Sequence, residues 1–515
     1  MLGCFGAPHY INHLFLSSIL PWQCLNVFKP GICVSLLGRH SRDPFQLWCG
    51  LSRIFDLRPT PSLDGKAASM LLASRLKDTF PFYYGWIVVG ASSTVVFARM
   101  APAITTLTVL IFPMSQQLGW SRTLVAGSVS AGAIASLVLS PVVGWAIDRY
   151  GARPVLVVSV VGLGLALVSL AWATVPLTFY LAFAAARVVF HTSAPIGAST
   201  VAARWFIRKR GRAIGMIFLF GAIGGIVFTM LASLVVESHG LKATWIAIGL
   251  VVLVFSVAPP LLLVAERPED IGLLPDGVEP VDGMAKSSGP VVVRFSPTGE
   301  QAAVVSKVQA VDEESWTLGE AVGTRTFWIL VSMGFTSFFV HTSIGVHMGA
   351  YFRDIGLGAT ASALAVSLSW TVSAVFSVTW GWVTDRIDVR YAYSGMFLVQ
   401  AGSTLYLILA SGTLGVFVAA GFFGIVSAGS NVVPSVMYAN YFGRSSLGRI
   451  RGLGEVGVLF GQATGPVIAG ILFEIQGGYS MIFWVFVGLA LVCSLVVLKA
   501  KAPVKKAALP AGQYV

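Results

Sequence analysis

Gly144-Trp145-Ala146-Ile147-Asp148-Arg149-Tyr150-Gly151-Ala152-Arg153-Pro154 is a short charged turn between two long apolar runs. An acid and two arginines beside glycines are too costly to leave in lipid, so the turn belongs where two membrane helices meet water. The chain repeats it: Gly381-Trp382-Val383-Thr384-Asp385-Arg386-Ile387-Asp388-Val389-Arg390. Gly, Trp, Asp and Arg recur at an offset of 237 residues (381 − 144). Leu118-Gly119 matches Ile355-Gly356 at the same offset, as does Arg212-Ala213-Ile214-Gly215 with Arg449-Ile450-Arg451-Gly452. Arg204-Trp205-Phe206 matches Asn440-Tyr441-Phe442 at 236. One near-constant offset predicts a parallel duplication of six-helix halves.

Composition agrees. The 515 residues are 56% hydrophobic and 11% charged, against about 25% charged in soluble domains. Mean hydropathy is +0.81. The expected fold is an all-α polytopic membrane protein: twelve transmembrane helices in two six-helix bundles related by a pseudo-two-fold axis. A net charge of +12 would suggest nucleic acid in a soluble chain. The positive-inside rule accounts for it here, and no nucleic-acid partner is expected. Cys4, Cys24, Cys33, Cys49 and Cys493 have no metal-ligand spacing, so neither a metal nor a disulfide framework is expected.

Residues 1–69 are unlike the rest. The apolar stretch from His13 to Leu37 is broken by Pro21, Lys29 and Pro30, and it lacks the layout of a signal peptide. It reads as a disordered extension, with Met70 as an alternative start. The N-terminal bundle is expected over 84–264. Its spans are Gly85–Pro113, Thr123–Ile147, Val155–Thr174, Leu177–Phe206, Ala213–Val236 and Ala243–Val264. A polar linker comes next, over 265–320. The C-terminal bundle, 321–499, holds spans Phe327–Tyr351, Ala359–Thr384, Tyr391–Ser411, Leu414–Tyr441, Gly452–Phe473 and Tyr479–Lys499, and 500–515 is a tail. The turns after spans 2, 4, 8 and 10 carry twelve Arg and Lys, from Arg149 to Arg451. The opposite turns carry three: Arg122, Lys242 and Arg353. The basic turns, the linker and both termini are therefore expected in the cytoplasm, in a multi-pass protein of the cell inner membrane if the source is bacterial.

The Gly-x-x-x-Asp-Arg-x-Gly-x-Arg turn at Gly144, Asp148, Arg149, Gly151 and Arg153 resembles the signature of the major facilitator superfamily between its second and third helices. The resemblance covers Tyr84 to about Lys499. Asp388 replaces the second glycine in the C-terminal copy, which predicts looser packing there. Three stretches resemble the monocarboxylate and oxalate/formate branch: Tyr84-Gly85-Trp86, Gly119-Trp120-Ser121-Arg122, and Arg267-Pro268-Glu269-Asp270-Ile271-Gly272-Leu273-Leu274-Pro275-Asp276-Gly277. The resemblance implies gradient-driven transport by symport or antiport. It also implies an anion-holding arginine in span 8, but Ala359–Thr384 has no Arg or Lys.

Charges inside spans are the remaining candidates. Arg99 lies about 21 Å along span 1 and Arg187 about 15 Å along span 4, both near mid-membrane. His191 is one turn beyond Arg187, on the same face. Few acids are available to neutralise these arginines, so a net positive cavity is expected, suited to a carboxylate. Arg187 also partly matches a fourth-helix arginine of proton antiporters in the superfamily, which leaves a structural or proton-gating role open. His341 and Asn431 join Arg99, Arg187 and His191 as substrate-binding candidates. His347 is read with the other two histidines as a group that could handle substrate or protons, and Gln462 with Asn431 as a neutral hydrogen-bond partner. Gly144, Asp148, Arg149, Arg153, Asp385, Arg386 and Glu455 are the gating candidates. Asp148 would accept from a facing helix N-terminus, while Arg149 and Arg153 would pair with carboxylates across the seam. Alternatively, these arginines only set topology.

Phosphate-loop, dinucleotide and hydrolytic signatures are missing from the sequence, so no cofactor and no enzymatic activity are expected. The predicted function is secondary active transport of a small organic anion by proton symport or anion exchange, monocarboxylate transport included. Its expected partners are the anion, membrane lipid and protons, and the protein is expected to be a monomer. The alternatives are a carrier of a neutral solute or drug, or a non-transporting membrane sensor.

Overall fold

The computed structural model describes residues 82–277 and 316–505. The expected extension over 1–69, most of the linker and the end of the tail lie outside the described residues.

Among the described residues the chain is entirely helical. In the N-terminal half are α1 (Gly85–Ala98), α2 (Ile104–Leu118), α3 (Arg122–Tyr150), α4 (Ala152–Ser169), α5 (Pro176–Val188), a π-turn (Val189–Ser193), α6 (Ala194–Trp205), α7 (Arg210–Ser256) and α8 (Ala258–Leu263). In the C-terminal half are α9 (Leu318–Val322), α10 (Arg325–Asp354), α11 (Ala359–Thr384), α12 (Val389–Leu409), α13 (Gly412–Phe442), α14 (Leu447–Gln476) and α15 (Ser480–Val497). Local chemistry sets several boundaries. Ser121 accepts from the Leu124 N–H and Thr324 from that of Phe327, capping α3 and α10. Asp388, in place of the second glycine of the repeated turn, accepts from the Arg390 N–H at the start of α12.

Among the described residues, ten helices are long and apolar enough to cross a membrane, where twelve were expected. Two features account for the difference. The run Arg210–Leu263 is 54 residues long, about 80 Å of helix and more than twice the ~30 Å hydrocarbon core. It reverses at Gly240, whose φ of 78° suits glycine. The first expected span is broken instead of continuous: α1 ends at Ala98, and Pro102, without an N–H, separates it from α2.

The halves meet along two helix pairs, α3 with α14 and α7 with α11. Small residues permit the approach. A methyl on Gly144 would run into the Gly448 carbonyl, and one on Gly211 into the Gly381 carbonyl. Gly144 with Gly381 and Gly211 with Gly448 are both repeat-related at 237 residues, so the seam obeys the same two-fold as the sequence.

Candidate functional site

The site forms where two helices are interrupted. Pro195 has no N–H to offer the His191 carbonyl, and the chain before it loosens into the π-turn. There the Ala194 N–H bonds to the Val189 carbonyl, which leaves the Phe190 carbonyl without its helical donor. Arg99, at the end of α1, supplies one: its Nη1 donates to Phe190 O at 2.9 Å. Arg187, at the end of α5, reaches back into the other interruption, and its Nη1 donates to Pro102 O at 3.3 Å. The Arg187 Nη2 donates to His191 Nε2 at 2.8 Å. An arginine can only donate, so that imidazole nitrogen accepts and the His191 ring is neutral. The Phe190 ring lies under both guanidinium groups, at 5.0 Å from Arg99 and 4.4 Å from Arg187.

Among the described residues, no carboxylate oxygen lies within 4.0 Å of either guanidinium. The Nε of each is buried and has no hydrogen-bond partner. Both arginines and His191 line a cavity of about 530 Å³ between the halves. His341 and Asn431 line it too. The His341 ring stacks on Phe423 at 4.6 Å with 4° between the planes. The Asn431 amide donates to Ser427 O at 2.9 Å within α13. The structure therefore brings all five substrate-binding candidates to one hollow, together with Gln462. His347 lies toward the far end of α10, between Tyr479 and the Pro466 carbonyl, each at 3.1 Å.

Arg451 is a site residue that the sequence reading missed. It counted there only as a topology arginine near the start of a span. Because α14 begins at Leu447, Arg451 is one turn inside the helix, is buried and lines the cavity. It pairs with Glu455 at 3.8 Å and donates to the Ser199 hydroxyl across the seam. Glu455, a gating candidate, is thus paired with its own helical neighbour.

The cavity is closed at the end that carries the basic turns. Asp148 accepts from the N–H groups of Gly448 (2.9 Å) and Arg449 (2.7 Å) at the start of α14. Asp385 accepts from those of Gly211 (2.6 Å) and Arg212 (3.2 Å) at the start of α7. These two clasps are images of each other at an offset of 237. Each places a carboxylate at a positive helix terminus. Burial raises the Asp385 carboxyl above its ordinary value, while Arg212 and the two N–H groups oppose the rise.

Among the described residues, Arg149 makes no ion pair across the seam. Arg149 lies over its own neighbours Trp145 and Tyr150. The backbone N–H of Arg153 donates to Glu266, and its side chain donates to Leu261 O, both in the same half. Arg386 stacks on Trp382 at 4.1 Å. Other residues make the crossing: Arg210 donates to Asn440 Oδ1 at 2.8 Å, and Arg444 to Arg204 O at 3.0 Å. Glu266, read as linker, accepts from Arg204 at 2.6 Å and from the Ala152 and Arg153 N–H groups at the start of α4. Its carboxylate occupies the space beside Gly151, where a side chain would stand, and the glycine φ of 97° completes the turn.

A sequence model of the Major Facilitator Superfamily matches residues 88–373 and 330–514. The chain belongs to that superfamily. It is an integral, multi-pass membrane transporter, not an enzyme. Among similar proteins, a gallate transporter of Pseudomonas putida is 24% identical over 364 residues, 69% of this chain and 79% of the relative. An oxalate:formate antiporter of Oxalobacter formigenes is 24% identical over 298 residues, 56% of this chain and 61% of that one. Among solved structures, the superfamily transporter FucP in its outward conformation aligns with a TM-score of 0.60 at 12% identity, over 81% of this chain and 99% of that one. The human organic anion transporter MFSD10 (TETRAN) aligns with a TM-score of 0.56 at 12% identity, over 84% and 100%. Superfamily members of different specificity share this fold, so specificity has to be argued from the cavity.

Proposed function

We propose that this chain is a secondary active transporter that moves a small organic anion, a carboxylate, by alternating access. One observation carries the reading: Arg99 and Arg187 line a buried cavity, and among the described residues neither has a carboxylate oxygen within 4.0 Å. Each has a buried Nε–H without a partner, and the carboxylate on the lining, Glu455, pairs with Arg451. A buried cation without an anion is costly, and a carboxylate arriving from water offsets that cost while accepting hydrogen bonds. The names of the two curated relatives, which refer to gallate and to oxalate and formate, support the same class.

The basic turns face the cytoplasm in this proposal, as do both termini, and twelve crossings are counted. The conformation described is then sealed on the cytoplasmic side. Opening that side requires the Asp148 and Asp385 clasps to release as the halves rock. Proton symport and anion exchange are the two couplings proposed, acting in a monomer within lipid.

The test is uptake of labelled mono- and dicarboxylates into proteoliposomes, with and without a pH gradient and with and without internal anion. Uptake that tracks the pH gradient assigns symport, and uptake that needs internal anion assigns exchange. Movement of neutral solutes while every anion fails overturns the reading.

A further inference from the structure

We infer that the carboxylate taken by this cavity carries an aromatic ring. The inference rests on the anion reading and narrows it to a substrate class.

The cavity has two unlike walls. The N-terminal half supplies cations, Arg99 and Arg187, gathered around the Phe190 ring. That ring face is already taken by the guanidinium groups, so Phe190 belongs to the anion anchor. The C-terminal half supplies the mutually paired Arg451 and Glu455 at one end and an aromatic panel over the rest. Phe338 stands edge-on to His341 at 6.0 Å, His341 stacks flat on Phe423, and Trp370 of α11 lines the same hollow. Gly345 leaves room for the stack, because a methyl there would press on the Phe423 ring at 3.3 Å. The His341 Nδ1 is buried and has no hydrogen-bond partner in the panel.

Size and polarity then select the occupant. A cavity of about 530 Å³ falls within the roughly 300–1,000 Å³ of small-molecule pockets. A one- or two-carbon acid would reach the arginines and leave the panel facing water. A carboxylate joined to a flat ring meets both walls at once: the carboxylate at Arg99 and Arg187, the ring against Phe338, His341 and Trp370. Aromatic contact adds to the apolar area that such a ring buries. The panel cannot supply that gain to acetate, formate or oxalate.

The full chain, purified and reconstituted, is titrated with benzoate, acetate, oxalate, formate and benzyl alcohol, and thermal stabilisation reports binding. Benzoate is expected to half-saturate at a concentration at least tenfold below those of acetate, oxalate and formate, with no stabilisation by benzyl alcohol. Phe338→Leu keeps apolar volume and is expected to weaken benzoate about tenfold while leaving acetate unchanged. Trp370→Leu provides the same comparison from a different helix if Phe338→Leu does not fold. Oxalate or formate binding as tightly as benzoate overturns the ring assignment and leaves the anion reading standing. Benzyl alcohol binding as tightly as benzoate overturns the anion reading and the ring assignment together.

Discussion

Arg99 and Arg187 each hold the helix interruption that belongs to the other. Arg99 ends α1 and donates to the Phe190 carbonyl freed by the π-turn, and Arg187 precedes that turn and donates to the Pro102 carbonyl freed by the break after α1. Half-wound segments at mid-membrane are tolerated where their backbone groups are satisfied by protein or face a cavity. Here the groups that satisfy them are the two cations of the cavity. The same guanidinium groups thus brace the backbone and present charge to the hollow.

This double duty makes Arg99→Gln informative. Loss of a charged hydrogen bond removes about 1.5–3 kcal/mol, so anion affinity should fall roughly 10- to 150-fold. The Phe190 carbonyl also loses its donor, so the melting temperature should fall. Arg99→Lys keeps the charge without the planar fork and should lie between. Isothermal titration with benzoate and a thermal melt on the same preparation separate the two effects. Unchanged anion affinity in Arg99→Gln would remove Arg99 from the binding site.

The seam provides a conformational prediction. Alanine normally favours a helix over glycine by about 1 kcal/mol. At Gly144 the added methyl meets the Gly448 carbonyl, so Gly144→Ala should weaken closure of the basic end. Asp148→Asn should act in the same direction, because the amide can no longer accept from both the Gly448 and Arg449 N–H groups. At ~1–3 kcal/mol each, the open population should rise about 5- to 150-fold. Thiol labelling of Ser140→Cys, a buried position whose native hydroxyl donates to Gly452 O across the seam, reports the opening. Labelling that does not increase would count against a latch at this turn.

The repeated turn made the paired halves legible, because few architectures other than a duplicated bundle place a charged, glycine-punctuated motif twice between apolar runs at a fixed offset. The five cavity residues were legible because ionisable and polar groups inside spans are costly, which singles them out one at a time. The interruptions were not. Pro102 and Pro113 carry the same local signal, yet α2 continues through Pro113 and only Pro102 breaks the helix. Which proline breaks a helix depends on which group satisfies the freed carbonyl, and Arg187 is 85 residues away. Arg451 and Glu266 were misread for a similar reason: a charge near a helix end looks like topology until its tertiary partner is in place.

Glu320 leads to a pH prediction. Its carboxyl is held down to about 2 from an ordinary 4.5, first by the Thr317 N–H, then by Lys505 and the Thr317 hydroxyl. A depressed acid contributes fully above its ordinary value and loses that contribution as pH falls toward about 2. Glu320 therefore stays ionised throughout pH 5–8. The uptake–pH profile of Glu320→Gln should superimpose on that of the native chain in this window. Trypsin cleavage after Lys505 at pH 8 should be faster in the variant, since the Lys505 ammonium lies 3.0 Å from the carboxylate. A shifted uptake profile would place the titrating group here instead.

Pro195→Ala tests whether the site depends on a deliberate defect. The new N–H at 195 could donate to the His191 carbonyl, and the Ala194 N–H could then move from Val189 to Phe190. That restores α-helical register and takes from Arg99 its acceptor. Removing one extra residue from a turn rotates the segment before it by about 100° relative to the segment after it, so Arg187 and His191 would leave the cavity face. A proline within a helical run costs up to about 3 kcal/mol, so the variant should melt at a higher temperature. Its benzoate affinity should nevertheless fall at least tenfold. A rise in stability with a loss of binding identifies the π-turn as the feature that places the cations. If both stay at native values, packing against α3 and α4 holds the turn, and Pro195 only accompanies it.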